Sequence, residues 1–174
     1  MSKKHRERTG MILSYLNKLG VMDVDMIQLL DIDGLGKTGK RNVLRIMQGL
    51  EEMGYIQSMR KDVKLFMLVD SKFTHIEHRL MMNRYLCKNG LVGKARIEPK
   101  VKVNDVEFRP DFMIPKNDNA KSATDWRYFE VDRTQKRVVN MQKVQRYKDL
   151  GLQFEIVCGV ERVYMWKGFV YHVV

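Results

Sequence analysis

Apolar residues recur mainly at helical spacing through the first third of the chain, and strand and helical spacing alternate through the rest. Ile12, Leu13, Leu16 and Leu19 recur every three or four positions, which predicts a helix capped by Thr9 and stopped by Gly20. Asp23 opens a second, short helix with Val24, Ile27, Leu29 and Leu30 as its apolar residues, and residues 31–36 read as a loop. A third helix is expected from about Thr38, turning Val43, Leu44, Met47, Leu50 and Met53 inward and ending at Gly54. Residues 55–60 and 63–69 then alternate as two strands around a turn at Lys61-Asp62.

Beyond that hairpin, residues 72–89 predict a longer helix with Phe73, Ile76, Leu80, Tyr85 and Leu86 as its apolar marks, closed by Gly90. Strands are expected over residues 95–103, with Pro99 demoting part of the segment to an edge, and over residues 106–114. A polar loop leads to a third strand, residues 126–132, a helix over 137–150 and a buried-looking strand over 153–158. Residues 162–166 and 169–173 read as a final hairpin turning at Lys167-Gly168. There is no internal repeat and no low-complexity tract.

The helices-then-hairpin order of residues 5–70 resembles a winged helix-turn-helix, and residues 50–56 resemble that family's passage from recognition helix into wing. The resemblance implies a DNA-binding domain over residues 1–70. Lys37, Thr38, Lys40, Arg41, Asn42 and Arg45 would lie on or near the leading turns of its third helix. Their cations would neutralise phosphates, and Arg41 or Asn42 would reach base edges. Arg60, Lys61 and Lys64 would touch the backbone from the wing. The alternative is a winged helix used for protein contacts, with these charges as a solvated face. Gly36-Lys37-Thr38 does not make a phosphate-binding loop, because Asp31 stands where the first glycine of that motif is needed.

Charge sharpens this picture. Of 174 residues, 32 are basic and 21 acidic, a net charge of +11 that favours a polyanionic partner, nucleic acid before membrane. Residues 1–70 hold only +3 of that, with 12 basic against 9 acidic residues, leaving +8 for residues 71–174. Cys87 and Cys158 have no metal-ligand spacing, the start of the chain carries Lys3, Lys4, Arg6, Glu7 and Arg8 with no apolar signal core after them, and no apolar run approaches the ~20 residues of a membrane span. A cytosolic protein with reduced thiols and no membrane partner is expected.

The candidate chemistry lies in the second half. Glu130 and Asp132, two apart in one strand, must share a face, where their repulsion needs a cation or basic partners. Asp111, in Arg109-Pro110-Asp111, lies within the neighbouring expected strand, residues 106–114, which would bring it to the same place. The order of these elements resembles the PD-(D/E)xK nuclease-like fold. That resemblance implies a mixed central sheet over residues 71–174, with residues 71–89 as a connecting helix. It also implies Asp111, Glu130 and Asp132 as ligands of Mg2+ or Mn2+ that activate water. Asp132 occupies the place where that fold carries its lysine; Lys143 or Lys136 would supply the charge, and Glu77 a fourth acid.

Residues 78–83, Arg109-Pro110-Asp111, residues 129–134, Lys143 and Tyr147 together resemble the replication-relaxation family of Gram-positive plasmids, integrative elements and phages. The resemblance implies an α+β protein, a winged helix followed by a nuclease-like domain, acting on double-stranded DNA in replication, relaxation or mobilisation. Replication or mobilisation proteins would be its partners, and a homodimer on two half-sites is one arrangement. Two other functions are open to this sequence: a metal-dependent endonuclease with Asp111, Glu130, Asp132 and Lys143 as catalytic residues, and a winged-helix transcription regulator. The bland alternatives for the acids are a strand cap in which Asp111 pairs with Arg133, and an ion-pair network of Glu130 and Asp132 with Arg127 and Arg133. His78 reads as a hydrogen-bonding helix residue, and the C-terminal aromatics as core or hairpin residues.

Overall fold

The computed structural model describes residues 3–60, 62–71, 75–132, 137–159 and 170–174, with the backbone alone for residues 4 and 137–141. Contacts divide the chain into two units, Met1–Gly90 and Leu91–Val174. Both are mixed α+β. Among the described residues no helix is long and apolar enough to cross a membrane.

In the first unit α1 (Lys3–Leu19) buries Ile12, Leu16 and Leu19 completely. It begins six residues before Thr9, which is not its cap but a buried residue in its interior. The expected stop holds: Gly20 adopts φ +81°, a conformation closed to most side chains. β1 (Met22–Asp23) leads directly into α2 (Val24–Leu29), where the Asp23 carboxylate accepts the Met26 amide at 2.9 Å. In α2 it is Met26 and Ile27 that are buried, while Leu29 is exposed. A 3-10 segment (Ile32–Lys37) follows, then α3 (Lys40–Glu52). Val43, Met47 and Leu50 form the buried stripe of α3. Leu44 and Met53, expected inward, are exposed: Leu44 lies about 100° round from Val43, and Met53 falls past the helix end.

β2 (Ile56–Arg60) and β3 (Lys64–Leu68) pair antiparallel from Ile56↔Leu68 to Arg60↔Lys64, and β1 joins the free side of β3, giving the order β1-β3-β2. α4 (Ile76–Lys88) belongs to this unit rather than to the second. The cause is specific: buried Asn83 donates to the carbonyls of Leu19 and Val21 at 3.0 and 2.7 Å, and Arg84 pairs with Asp23 at 3.1 Å. The boundary therefore falls at Gly90 and not after residue 70. Glu77 and His78 lie on α4.

In the second unit the two long strands expected before residue 115 are each broken in two. β4 (Arg96–Ile97) stops at Glu98, which turns to φ +46° ahead of Pro99. β5 (Val101–Val103) and β6 (Val106–Phe108) form a separate hairpin, closed by Asn104 and Asp105 at positive φ. Arg109-Pro110 turns the corner, and β7 (Phe112–Pro115) enters the main sheet. Each proline lacks the N–H a continuous ladder needs.

The main sheet has the order β10-β9-β8-β7-β4. β4, β7 and β8 (Trp126–Asp132) are antiparallel, whereas β8, β9 (Phe154–Cys158) and β10 (Val170–Val173) are parallel. α5 (Arg137–Asp149) makes the crossover from β8 to β9 that parallel neighbours require. It packs Val144 and Tyr147 onto Tyr128, Phe154 and Ile156, so the even-numbered positions of β8 face the helix. The opposite face carries Phe112 stacked on Phe129 at 4.4 Å. The expected C-terminal hairpin falls largely outside the described residues; its last strand, β10, runs parallel to β9.

Candidate functional site

The register Phe112↔Phe129 sets Asp111 opposite Glu130 on the neighbouring strand. Asp111 ends the ladder with its side chain: Oδ2 accepts the Val131 amide at 2.7 Å, while its own carbonyl accepts the Glu98 amide at 2.9 Å. The carboxylate is thereby fixed at the strand tip.

Glu130 points to the helix face of the sheet and is 8% exposed. Lys143 and Tyr147, four apart on α5, share the face turned toward it. The Tyr147 hydroxyl donates to Oε1 at 2.8 Å, and Lys143 Nζ donates to Oε2 at 2.5 Å. Asp132, half-buried, lines an open pocket together with Glu130 and Lys143. Burial first, and the Asp111 charge second, push the Glu130 carboxyl up to about 7, against the pull of Lys143 and Tyr147. Burial works against the Lys143 ammonium, but the charges of Glu130 and Asp111 outweigh it and hold that group above its usual value. Burial, then Glu130, raises the Tyr147 hydroxyl far beyond physiological pH, so it serves only as a donor.

The fold thus brings Asp111, Glu130 and Lys143 together, with Asp132 beside them. Among the described residues no group of three or more His, Cys, Asp or Glu side chains is arranged to hold an ion. The donor set explains this: both Glu130 oxygens already accept from α5, and Lys143 supplies the positive charge that a cation would bring. Arg133 and Lys136 lie outside the described residues.

A second buried carboxylate escaped the sequence reading. Glu155 on β9 is 2% exposed. Arg127 grips it with Nε to Oε1 at 2.6 Å and Nη2 to Oε2 at 2.7 Å, and His172 Nε2 lies 2.5 Å from Oε2. Arg127 therefore serves Glu155, on the face of the sheet opposite Glu130. Strand parity carried the signal: Arg127 alternates with Phe129 and Val131, away from Glu130.

In the first unit the expected DNA-facing residues divide by what they already hold. Lys40 pairs with Asp25 at 2.6 Å, and Lys64 with Glu51 at 3.1 Å. Thr38 is structural: its hydroxyl donates to the Leu35 carbonyl at 2.9 Å and its carbonyl accepts from Gln28 at 2.7 Å. Arg41 and Arg45 are exposed on the side of α3 opposite Val43, Met47 and Leu50, and among the described residues they form no ion pair. Asn42, Lys37 and, at the end of β2, Arg60 are exposed as well. Lys61 lies outside the described residues. Gly36 holds the turn before α3, since a Cβ there would stand 2.8 Å from both the Asp31 carboxylate and the Gln28 carbonyl.

No protein-family model matches the chain, and no curated protein matches it.

Proposed function

We propose that the first unit is a winged helix that docks duplex DNA through α3, and that the protein is a cytosolic DNA-binding accessory factor of a mobile element. The element order supports this reading: helix, short strand, two helices and a hairpin, with β1 closing the sheet against β3. The observation that carries it is the cationic stripe on α3. Arg41 and Arg45 sit opposite the buried stripe, exposed and without an ion pair among the described residues, where a groove-bound helix meets phosphates and bases. The net charge of +11 adds long-range attraction. On this reading the second unit is a nuclease-like fold of the replication-relaxation kind, whose acids serve structure.

The test is duplex binding by fluorescence anisotropy across a salt series. Wild-type affinity should fall steeply with salt, and Arg41→Glu with Arg45→Glu should abolish binding while leaving the far-ultraviolet circular dichroism unchanged. A folded double variant that binds as tightly as wild type overturns the reading.

One observation favours a second reading, a Mg2+- or Mn2+-dependent endonuclease using Asp111, Glu130, Asp132 and Lys143. Asp111 and Glu130 face each other across β7 and β8 with a lysine on the glutamate. Against it stands Lys143, whose ammonium already occupies one Glu130 oxygen while Tyr147 occupies the other. Nicking of supercoiled plasmid by wild type but not by Glu130→Ala, lost on chelation, would displace the accessory reading.

A further inference from the structure

Leu44 is the odd residue on the outer side of α3. It is 39% exposed, while Val43 and Met47 in the same turns are fully buried. It stands three residues after Arg41 and beside it on the helix surface, while Arg45 lies about 100° further round on the exposed half of α3. Among basic residues meeting a polyanion, an apolar side chain adds nothing to phosphate attraction. The apolar group that the major groove offers it is the thymine 5-methyl. The two arginines, which form no ion pair among the described residues, keep their donor forks open, and that fork matches O6 and N7 of guanine. Lys40 and Lys64 are committed to Asp25 and Glu51 instead.

Resting on the proposed docking of α3, we infer that this helix reads base sequence: Arg41 and Arg45 each take a guanine, and Leu44 takes a thymine methyl. Four residues of helix rise about 6 Å, close to two base-pair steps of about 3.4 Å for a helix lying along the groove. The guanines therefore stand about two steps apart, with the thymine beside one of them.

The experiment is selection of duplexes from a randomised pool by the full-length protein, followed by anisotropy on the enriched sequence with modified bases. Two guanines and an adjacent thymine should emerge. Replacing either guanine by 7-deazaguanine should weaken wild-type binding about tenfold. Arg45→Ala should be indifferent to one of the two replacements. Exchanging the thymine for uracil should weaken wild type about fourfold, the value of one buried methyl group, and leave Leu44→Ala unaffected. Salt-sensitive binding with no base preference, or a uracil penalty that survives in Leu44→Ala, overturns the inference and leaves duplex docking standing. Absence of any duplex binding by the folded protein removes both.

Discussion

Glu130 and Glu155 lie on neighbouring parallel strands, face opposite sides of the sheet, and have their proton affinities displaced in opposite directions. Glu130 is pushed up to about 7 by burial and by Asp111. Burial also works on Glu155 in the same sense, but the hydrogen bonds from Arg127 and His172 outweigh it and hold that carboxyl below its usual value. A bidentate guanidinium is a stronger partner for a buried carboxylate than a half-exposed lysine and a hydroxyl.

The first prediction concerns pH. Between the ordinary glutamate value of 4.5 and about 7, native Glu130 keeps a proton that the unfolded chain has released. The unfolded state then binds fewer protons, so stability falls as pH rises through this window and levels off above it. The loss is on the order of 3 kcal/mol. Glu155 has the opposite sign: its contribution is present above 4.5 and is lost as pH falls through its lowered value. The check is urea unfolding at about pH 5 and pH 8, with the wild-type difference compared with that of Glu130→Gln. The variant should lose the downward slope; an identical slope in both proteins would show that Glu130 is not its source.

The second prediction isolates Asp111. Asp111→Asn keeps an oxygen for the Val131 amide and removes the charge that raises Glu130. At about pH 8 the asparagine variant should be more stable than Asp111→Ala, which also orphans the amide, by about 1–2 kcal/mol. Equal losses in both would mean that the charge itself, and not the amide bond, is what the fold requires.

Much of this was legible along the chain, and what was missed shares a cause. Ile12, Leu16 and Leu19, the hairpin from Ile56 to Leu68, and strands β8 and β9 follow local periodicity, which sequence displays directly. The meeting of Asp111 with Glu130 was anticipated from the resemblance of Arg109-Pro110-Asp111 and the Glu130-x-Asp132 strand to the nuclease-like pattern, and the register of β7 on β8 brings it about. The breaks at residues 98–100 and 109–111 were not, since alternation runs straight through the prolines and only pairing with different sheets reveals them. Arg127 and Glu155 lie 28 residues apart, beyond any local pattern. Leu44 was misread because hydrophobicity alone counts every leucine as inward.

The third prediction tests the Arg127–Glu155 pair. Arg127→Ala strands a buried carboxylate and should cost about 3–5 kcal/mol, whereas Arg127→Met combined with Glu155→Leu should lie close to wild type. Urea denaturation of the single and double variants measures both. A double variant as unstable as the single would show that the cost is lost packing, including the stacking of Arg127 over Phe129 at 5.2 Å, rather than an unpaired charge.

The fourth prediction follows from the charge already spent on Lys40. Its ammonium, 2.6 Å from the Asp25 carboxylate, lies on the first turn of α3 but is neutralised before DNA arrives. Both side chains are largely exposed, so the pair contributes little to folding and can be broken without unfolding the unit. Asp25→Asn frees Lys40 for a phosphate and removes a repulsive charge. Duplex affinity should rise severalfold, and the slope of log K against log salt should steepen by about one unit. Lys40→Ala in the wild-type background should change that slope less than Lys37→Ala, because an already paired lysine releases fewer counterions. Anisotropy titrations of the three variants across a salt series decide the matter: an unchanged slope in Asp25→Asn would mean that the first turn of α3 stands away from the phosphate backbone, and that the grip on duplex DNA comes from Arg41 and Arg45 further along the helix.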